Sequence, residues 1–300
     1  MLSSTTVQLA GHEVSFTCHG GLLAGQGLPN SLGGIGECLQ AGASRVEIDI
    51  HSMADGEYLV THATRLEEAT TSRGAIGRLT REEALGLRRN DDAGSRPPLL
   101  SEVVALTQPF ACELQLDLKD WRPLTLERVD ALAALVRPLG ERAIISSGQD
   151  WNLRAIARQV PWLRLGFDPD RYLCIAERNQ APVPGRLGAY GYRDDHPLAL
   201  GRAQTVGDYL RERLDILVAQ CVSARELFIE YRLLLQAETE GVMLSRLLHE
   251  RGVAVSAWTL DYDGPESLAR LERLASAGVD RVTTNTTRQF LAALSGRGTE

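Results

Sequence analysis

Short apolar, β-prone runs alternate with amphipathic stretches along almost the whole chain, and this alternation limits the available folds more than any other feature. Strands are expected at Glu13–His19, Arg45–Met53, Phe110–Lys119, Ala143–Ser147, Leu163–Asp168, Ile216–Cys221, Val253–Leu260 and Asp280–Thr284. Between them, Leu126–Val136, Asn152–Val160, Ala224–Arg251 and Pro265–Ala277 repeat Leu and Ala every three or four residues, as helices with one buried face do. Gly42, Gly140, Gly252 and Gly278 stand where these helices should stop. Eight strand-then-helix units in 300 residues match an α/β (β/α)8 TIM barrel. A doubly wound open sheet would compete, but no Gly-x-Gly-x-x-Gly turn follows the first strand. A single domain over residues 1–300 is expected, with two long connections, about 63–109 and about 169–203. Each leaves the carboxyl end of a strand, where barrels of this kind place their binding apparatus.

The most informative chemistry lies in Arg45-Val-Glu47-Ile-Asp49-Ile-His51. Successive side chains of a strand point to opposite faces, so Glu47, Asp49 and His51 share one. Two carboxylates on one face of an apolar strand repel each other and cost several kcal/mol to desolvate unless something positive compensates. A divalent cation is the simplest compensation. A polar, solvent-facing side of an antiparallel sheet would produce the same spacing.

Other ionisable or polar residues fall at expected strand ends: His19, His62, Asp117 with Lys119, and Trp258-Thr259. Each has a plain reading as a structural histidine, an exposed ion pair or a core indole; together they read as one pocket. Glu113 shares the face of Asp117 but lies four residues earlier, so it is expected deeper in the barrel and structural. His51 is expected to support the site or the fold rather than to ligate a cation.

A net charge of −7 argues against general nucleic-acid binding, because such proteins carry a basic face. Five scattered cysteines without a Cys-x-x-Cys pair read as free thiols. No apolar run approaches the length of a membrane span, and the start of the chain lacks the basic and apolar segments of a signal peptide, so a cytoplasmic location is the expectation.

The order of motifs resembles the glycerophosphodiester phosphodiesterases over nearly the whole chain. It runs from His19-Gly20 through Asn30-Ser31 at a helix start, Gly42 to Asp49, Asp55-Gly56 and His62. Thr70-Thr71, Gly74, Gly77, Leu79-Thr80, Pro98 to Glu102, Trp258-Thr259 and Ala277 to Asp280 continue it. The resemblance implies that His19 and His62 act as general acid and base. It implies that Glu47, Asp49 and Asp117 hold one divalent cation, Mg2+ or Ca2+ (Mn2+ also fitting), and that Lys119 contacts phosphate. It further implies that the insertion near residues 63–109 caps the site and that a small phosphodiester is split into a phosphomonoester and an alcohol.

Three positions depart from the family. Gly20 stands where it usually has arginine, Asp117 where it has Glu, and Ala63 where it often has Asp. Arg171 and Arg193 are the expected sources of the missing charge, with Arg193 and Trp258 contacting substrate, and Tyr192 and His196 are candidates for contacts to the alcohol. Asp-x-Lys on the third strand also resembles sphingomyelinase D-type phospholipases, which implies an alternative product, a cyclic phosphate. A degenerate barrel that binds a phosphodiester without turnover is the non-enzymatic alternative. The oligomeric state stays open.

Overall fold

The computed structural model describes residues 5–92, 94–175 and 185–297. Part of the second long connection, 176–184, lies outside them. Eight parallel strands close into a barrel: β1 (His12–Cys18), β2 (Arg45–Ser52), β3 (Glu113–Leu118), β4 (Ala143–Ser147), β5 (Arg164–Phe167), β6 (Ala224–Glu230), β7 (Ala254–Trp258) and β8 (Arg281–Thr284). Neighbours pair in chain order, and β1 pairs with both β8 and β2 to complete the ring. Helices Leu32–Ala41, Leu126–Val136, Asp150–Gln159, Val206–Gln220, Pro265–Ser276 and Thr287–Arg297 lie in the connections between strands or after β8. The barrel matches the sequence expectation.

Period two explains the strands. All eight residues of β2 are buried. Val46, Ile48 and Ile50 join the apolar core shared with the helices, while Arg45, Glu47, Asp49 and His51 occupy the opposite, inward face. The register sets Arg45 beside Glu113, Glu47 beside Gln115 and Asp49 beside Asp117. Inward residues are thereby sorted into layers from the amino end to the carboxyl end of the barrel.

The lowest layer is ionic. Arg45 Nη1 donates to Glu226 Oε1 at 2.6 Å and its Nε to Glu113 Oε2 at 2.9 Å. Glu113 also meets Arg164 and Arg281. Glu113 is thus a structural residue of the barrel floor. Burial would raise both glutamates, but Arg45 leads the positive groups that hold each below the usual carboxylate value.

One strand and one helix differ from expectation. Ile216–Cys221 is not a strand: residues up to Gln220 finish the helix Val206–Gln220, whose Leu210, Leu214 and Leu217 are buried at helical spacing. The sixth strand is Ala224–Glu230, at the start of the expected helix Ala224–Arg251. Its inward Glu226 and Glu230, four apart, mimic the polar stripe of a helix. The remainder divides into helices Tyr231–Thr239 and Leu244–His249, separated at Gly241, which has φ +82°.

After β2, Tyr58–Val60 turns back antiparallel to it. The following segment packs a small core of its own, including Met53, Leu59, Leu66, Ile76 and Leu99. All five cysteines are buried free thiols. Among the described residues, no helix is long and apolar enough to cross a membrane.

Arg45→Met should lower stability by about 3–5 kcal/mol, because Glu226 and Glu113 would lose a buried partner; equilibrium denaturation measures this. Both glutamates are depressed, so their contribution is present above the ordinary value of 4.5 and is lost as pH falls through the folded values. The acid limb of a stability–pH curve should therefore be shallower in Arg45→Met than in the wild type.

Candidate active site

At the carboxyl end of the barrel a cavity of about 480 Å³ is lined by His19, Glu47, His62, Asp117, Lys119, Arg171, Trp258 and residues of the neighbouring loops. Glu47, Asp49 and Asp117 each place a carboxylate oxygen within 4.8 Å of the others. This closeness follows from the register, which sets Asp49 on β2 beside Asp117 on β3, with Glu47 two residues below on the same inward face.

Each carboxylate is held from outside its own strand. Gly20 N donates to Glu47 Oε2 at 2.8 Å. Gly20 adopts φ +57°, a left-handed conformation that an arginine would occupy only with strain, so its backbone serves the site here. Asn30, also left-handed at φ +55°, grips Asp49 twice: Nδ2 donates to Asp49 Oδ2 at 2.7 Å, and Oδ1 accepts from Asp49 N at 3.0 Å. Ser146 Oγ donates to Asp117 Oδ1 at 3.2 Å. Lys119 Nζ bridges the pair, hydrogen-bonded to Asp117 Oδ2 and 3.0 Å from Asp49 Oδ1.

Three carboxylates face one ammonium, and the electrostatics record the imbalance. Burial, reinforced by Asp49, pushes Glu47 up to about 7. Burial would raise Asp49 too, but Lys119 and then His62 outweigh it and hold it at about 2. Burial opposes the charge on Lys119, yet Asp117, Asp49 and Glu47 keep it well above the usual lysine value. Asp49 Oδ1 is buried with the Lys119 ammonium 3.0 Å away. An oxygen-only donor set with surplus negative charge fits a hard divalent cation.

His19 follows β1 directly. Its Nδ1 bonds Asn285 Oδ1 at 2.9 Å, and its Nε2 lies 3.9 Å from Glu47 Oε2. Burial alone would lower its pKa; Glu47, the Asn285 bond and Asp49 together raise it. His62 is exposed at the rim. His51 is buried beyond Asp49, its Nε2 without a hydrogen bond, and burial lowers its pKa.

Three expected contacts lie elsewhere. Arg193 sits on the short strand Tyr192–Arg193, paired with Cys174–Ile175, and does not line the cavity. Tyr192 is buried and donates to Glu240, while His196 caps the turn Pro197–Leu200. Arg171, in the single turn after β5, does line the cavity. With its carboxamide oxygen turned toward Arg171, Gln149 accepts from Nε and Nη2, each at 2.9 Å. Its nitrogen then donates to Ser147 Oγ at 2.7 Å and Leu118 O at 3.3 Å. This orientation is required, because the Arg171 guanidinium can only donate and so must face the oxygen of Gln149.

Asn30, Gln149 and Asn285 carry no site role in the sequence expectation. Gln149 and Asn285 share one signal, a polar residue within two positions of a strand's carboxyl end, where ligands bind, whereas Asn30 stands just before the helix Leu32–Ala41. Phe228 also lines the cavity, and its ring fills the space left by Gly166, where a Cβ would stand 2.2 Å from Cε2.

The sequence model of the glycerophosphoryl diester phosphodiesterase family matches residues 21–170. A glycerophosphodiester phosphodiesterase of Caldanaerobacter subterraneus subsp. tengcongensis is 26% identical over 145 residues, 46% of this chain and 60% of that protein. The match thus spans about three-fifths of that relative's length. Among solved structures, an Oleispira antarctica phosphodiesterase in complex with the product sn-glycerol-3-phosphate aligns with a TM-score of 0.64 at 18% identity, over 93% of this chain and 96% of that one. A protein from Silicibacter pomeroyi DSS-3, described as a glycerophosphoryl diester phosphodiesterase, aligns at 0.65 and 22%, covering 94% of each chain. At these identities the structural likenesses establish the barrel.

Asn30→Ala should weaken divalent-cation binding about 10–100-fold, because Asp49 would lose the partner that orients it. Isothermal titration with Mg2+ or Ca2+ measures this, and an unchanged affinity would remove Asn30 from the support of the site.

Proposed function

The chain belongs to the glycerophosphoryl diester phosphodiesterase family, and on that premise we propose that it hydrolyses a small phosphodiester to a phosphomonoester and an alcohol. The observation that carries this reading is the meeting of Glu47, Asp49, Asp117, Lys119, His19 and His62 around one cavity. The cavity volume of about 480 Å³ suits a glycerol-sized phosphodiester. The bound product of the Oleispira antarctica protein supports a phosphomonoester of that size.

Glu47, Asp49 and Asp117 would hold one Mg2+ or Ca2+, with Mn2+ also compatible with oxygen donors. When bound, that ion would neutralise charge gathering on a phosphoryl oxygen. Lys119, fixed between Asp49 and Asp117, adds positive charge at the same place. Arg171 supplies the charge that the family draws from the arginine absent at Gly20, since Gln149 occupies one edge of its guanidinium and leaves the remaining donors available. One imidazole takes the proton of the attacking water, and the other gives one to the leaving alkoxide; His19 and His62 both line the cavity. An acid–base pair beside a cation site favours turnover over binding alone.

Hydrolysis of bis(p-nitrophenyl) phosphate and a panel of glycerophosphodiesters, with Mg2+, Mn2+ or Ca2+ and with EDTA, tests the reading. His19→Ala and His62→Ala should each lower kcat by about 10²–10⁴-fold, and Asp49→Asn or EDTA should abolish activity. Activity that survives both would rule out the cation mechanism. Arg171→Ala should raise KM about tenfold, while Arg193→Ala should leave it unchanged.

A further inference from the structure

We propose that Asp261, outside the cavity lining, sets the tautomer of His19 by fixing the orientation of Asn285, so that Nε2 is the nitrogen that exchanges a proton with substrate. The proposal deepens the phosphodiesterase reading and rests on it for its catalytic consequence. Asp261 lies three residues after β7, and Asn285 directly follows β8. Asp261 Oδ1 accepts from Asn285 N at 2.7 Å and from Thr284 Oγ1 at 3.0 Å. Its Oδ2 accepts from Asn285 Nδ2 at 2.8 Å.

Directionality does the rest. A carboxylate only accepts hydrogen bonds, so Asn285 must turn its amide nitrogen to Asp261 and its oxygen to His19. That oxygen, 2.9 Å from His19 Nδ1, also only accepts, so Nδ1 carries the proton. In the neutral ring the lone pair is then on Nε2, the nitrogen lying 3.9 Å from Glu47 Oε2. As a base, His19 forms an N–H bond at Nε2 while the O–H bond of the attacking group breaks. As an acid, the Nε2–H bond breaks while the leaving oxygen gains its proton. In both roles Nδ1 keeps its hydrogen and its partner.

Asp261→Asn should invert this arrangement with little change of shape. The backbone N–H of Asn285 can only donate, so it would claim the oxygen of the new amide and leave its NH2 facing the side chain of Asn285. Asn285 would turn over to accept from it, presenting its own NH2 to Nδ1. The proton would then move to Nε2.

Two-dimensional 1H–15N spectra of protein with 15N-labelled histidine, recorded where His19 is neutral, read the tautomer directly. The His19 signals are identified by their loss in His19→Gln. The wild type should show Nδ1–H, and Asp261→Asn should show Nε2–H, with kcat lowered about 10²-fold or more and KM little changed. An Nε2–H tautomer in the wild type would overturn the proposal even if the variant does not fold, and so would an unchanged tautomer in a folded variant. If the wild type hydrolyses no phosphodiester, the functional reading fails while the spectra still decide the tautomer.

Discussion

Strand β2 turns a column of charge, Arg45, Glu47 and Asp49, into the interior of a closed barrel, and the rest of the molecule is arranged to make that tolerable. A buried charge without a partner costs several kcal/mol. At the amino end the barrel meets the cost with protein alone, because Glu113 and Glu226 converge on Arg45 from β3 and β6. At the carboxyl end the balance is left open: three carboxylates meet one lysine, and Glu47 is driven up to about 7. The same two-residue period produces both ends, one a plug and the other a candidate site with surplus negative charge.

Closure gives the upper layer its precision. Parallel pairing puts Asp49 beside Asp117, and the β1–β2 pairing brings the loop after His19 over Glu47. The loops add the orienting contacts. Asn30 fixes Asp49, Ser146 fixes Asp117, Gln149 fixes Arg171, and Asn285 fixes His19. Asp49, Asp117, Arg171 and His19 thus each meet a neutral hydroxyl or amide group. Neutral partners orient a charged group without cancelling the charge that the chemistry needs.

Much of this was legible along the chain because it obeys local periods. The barrel rhythm, the shared face of Glu47 and Asp49, and the deeper, structural placement of Glu113 follow from alternation alone. Strand β6 was hidden for the opposite reason. Its inward glutamates broke the apolar alternation, and only Arg45, 181 positions away, explains why Glu226 can be buried. Arg171 and Arg193 are equivalent as sequence, two arginines in one long connection; the fold sends one to the cavity and the other to a two-stranded pairing outside its lining.

Sequence by itself therefore determined the architecture, the family resemblance and the residues with charge to offer, since side-chain period and residue chemistry are local properties. Tertiary structure decided which charges are balanced, which group meets His19 Nδ1 and which arginine faces the cavity. Those outcomes depend on hydrogen-bond direction and distance between groups such as Asp261, Asn285 and His19, which only barrel closure brings together.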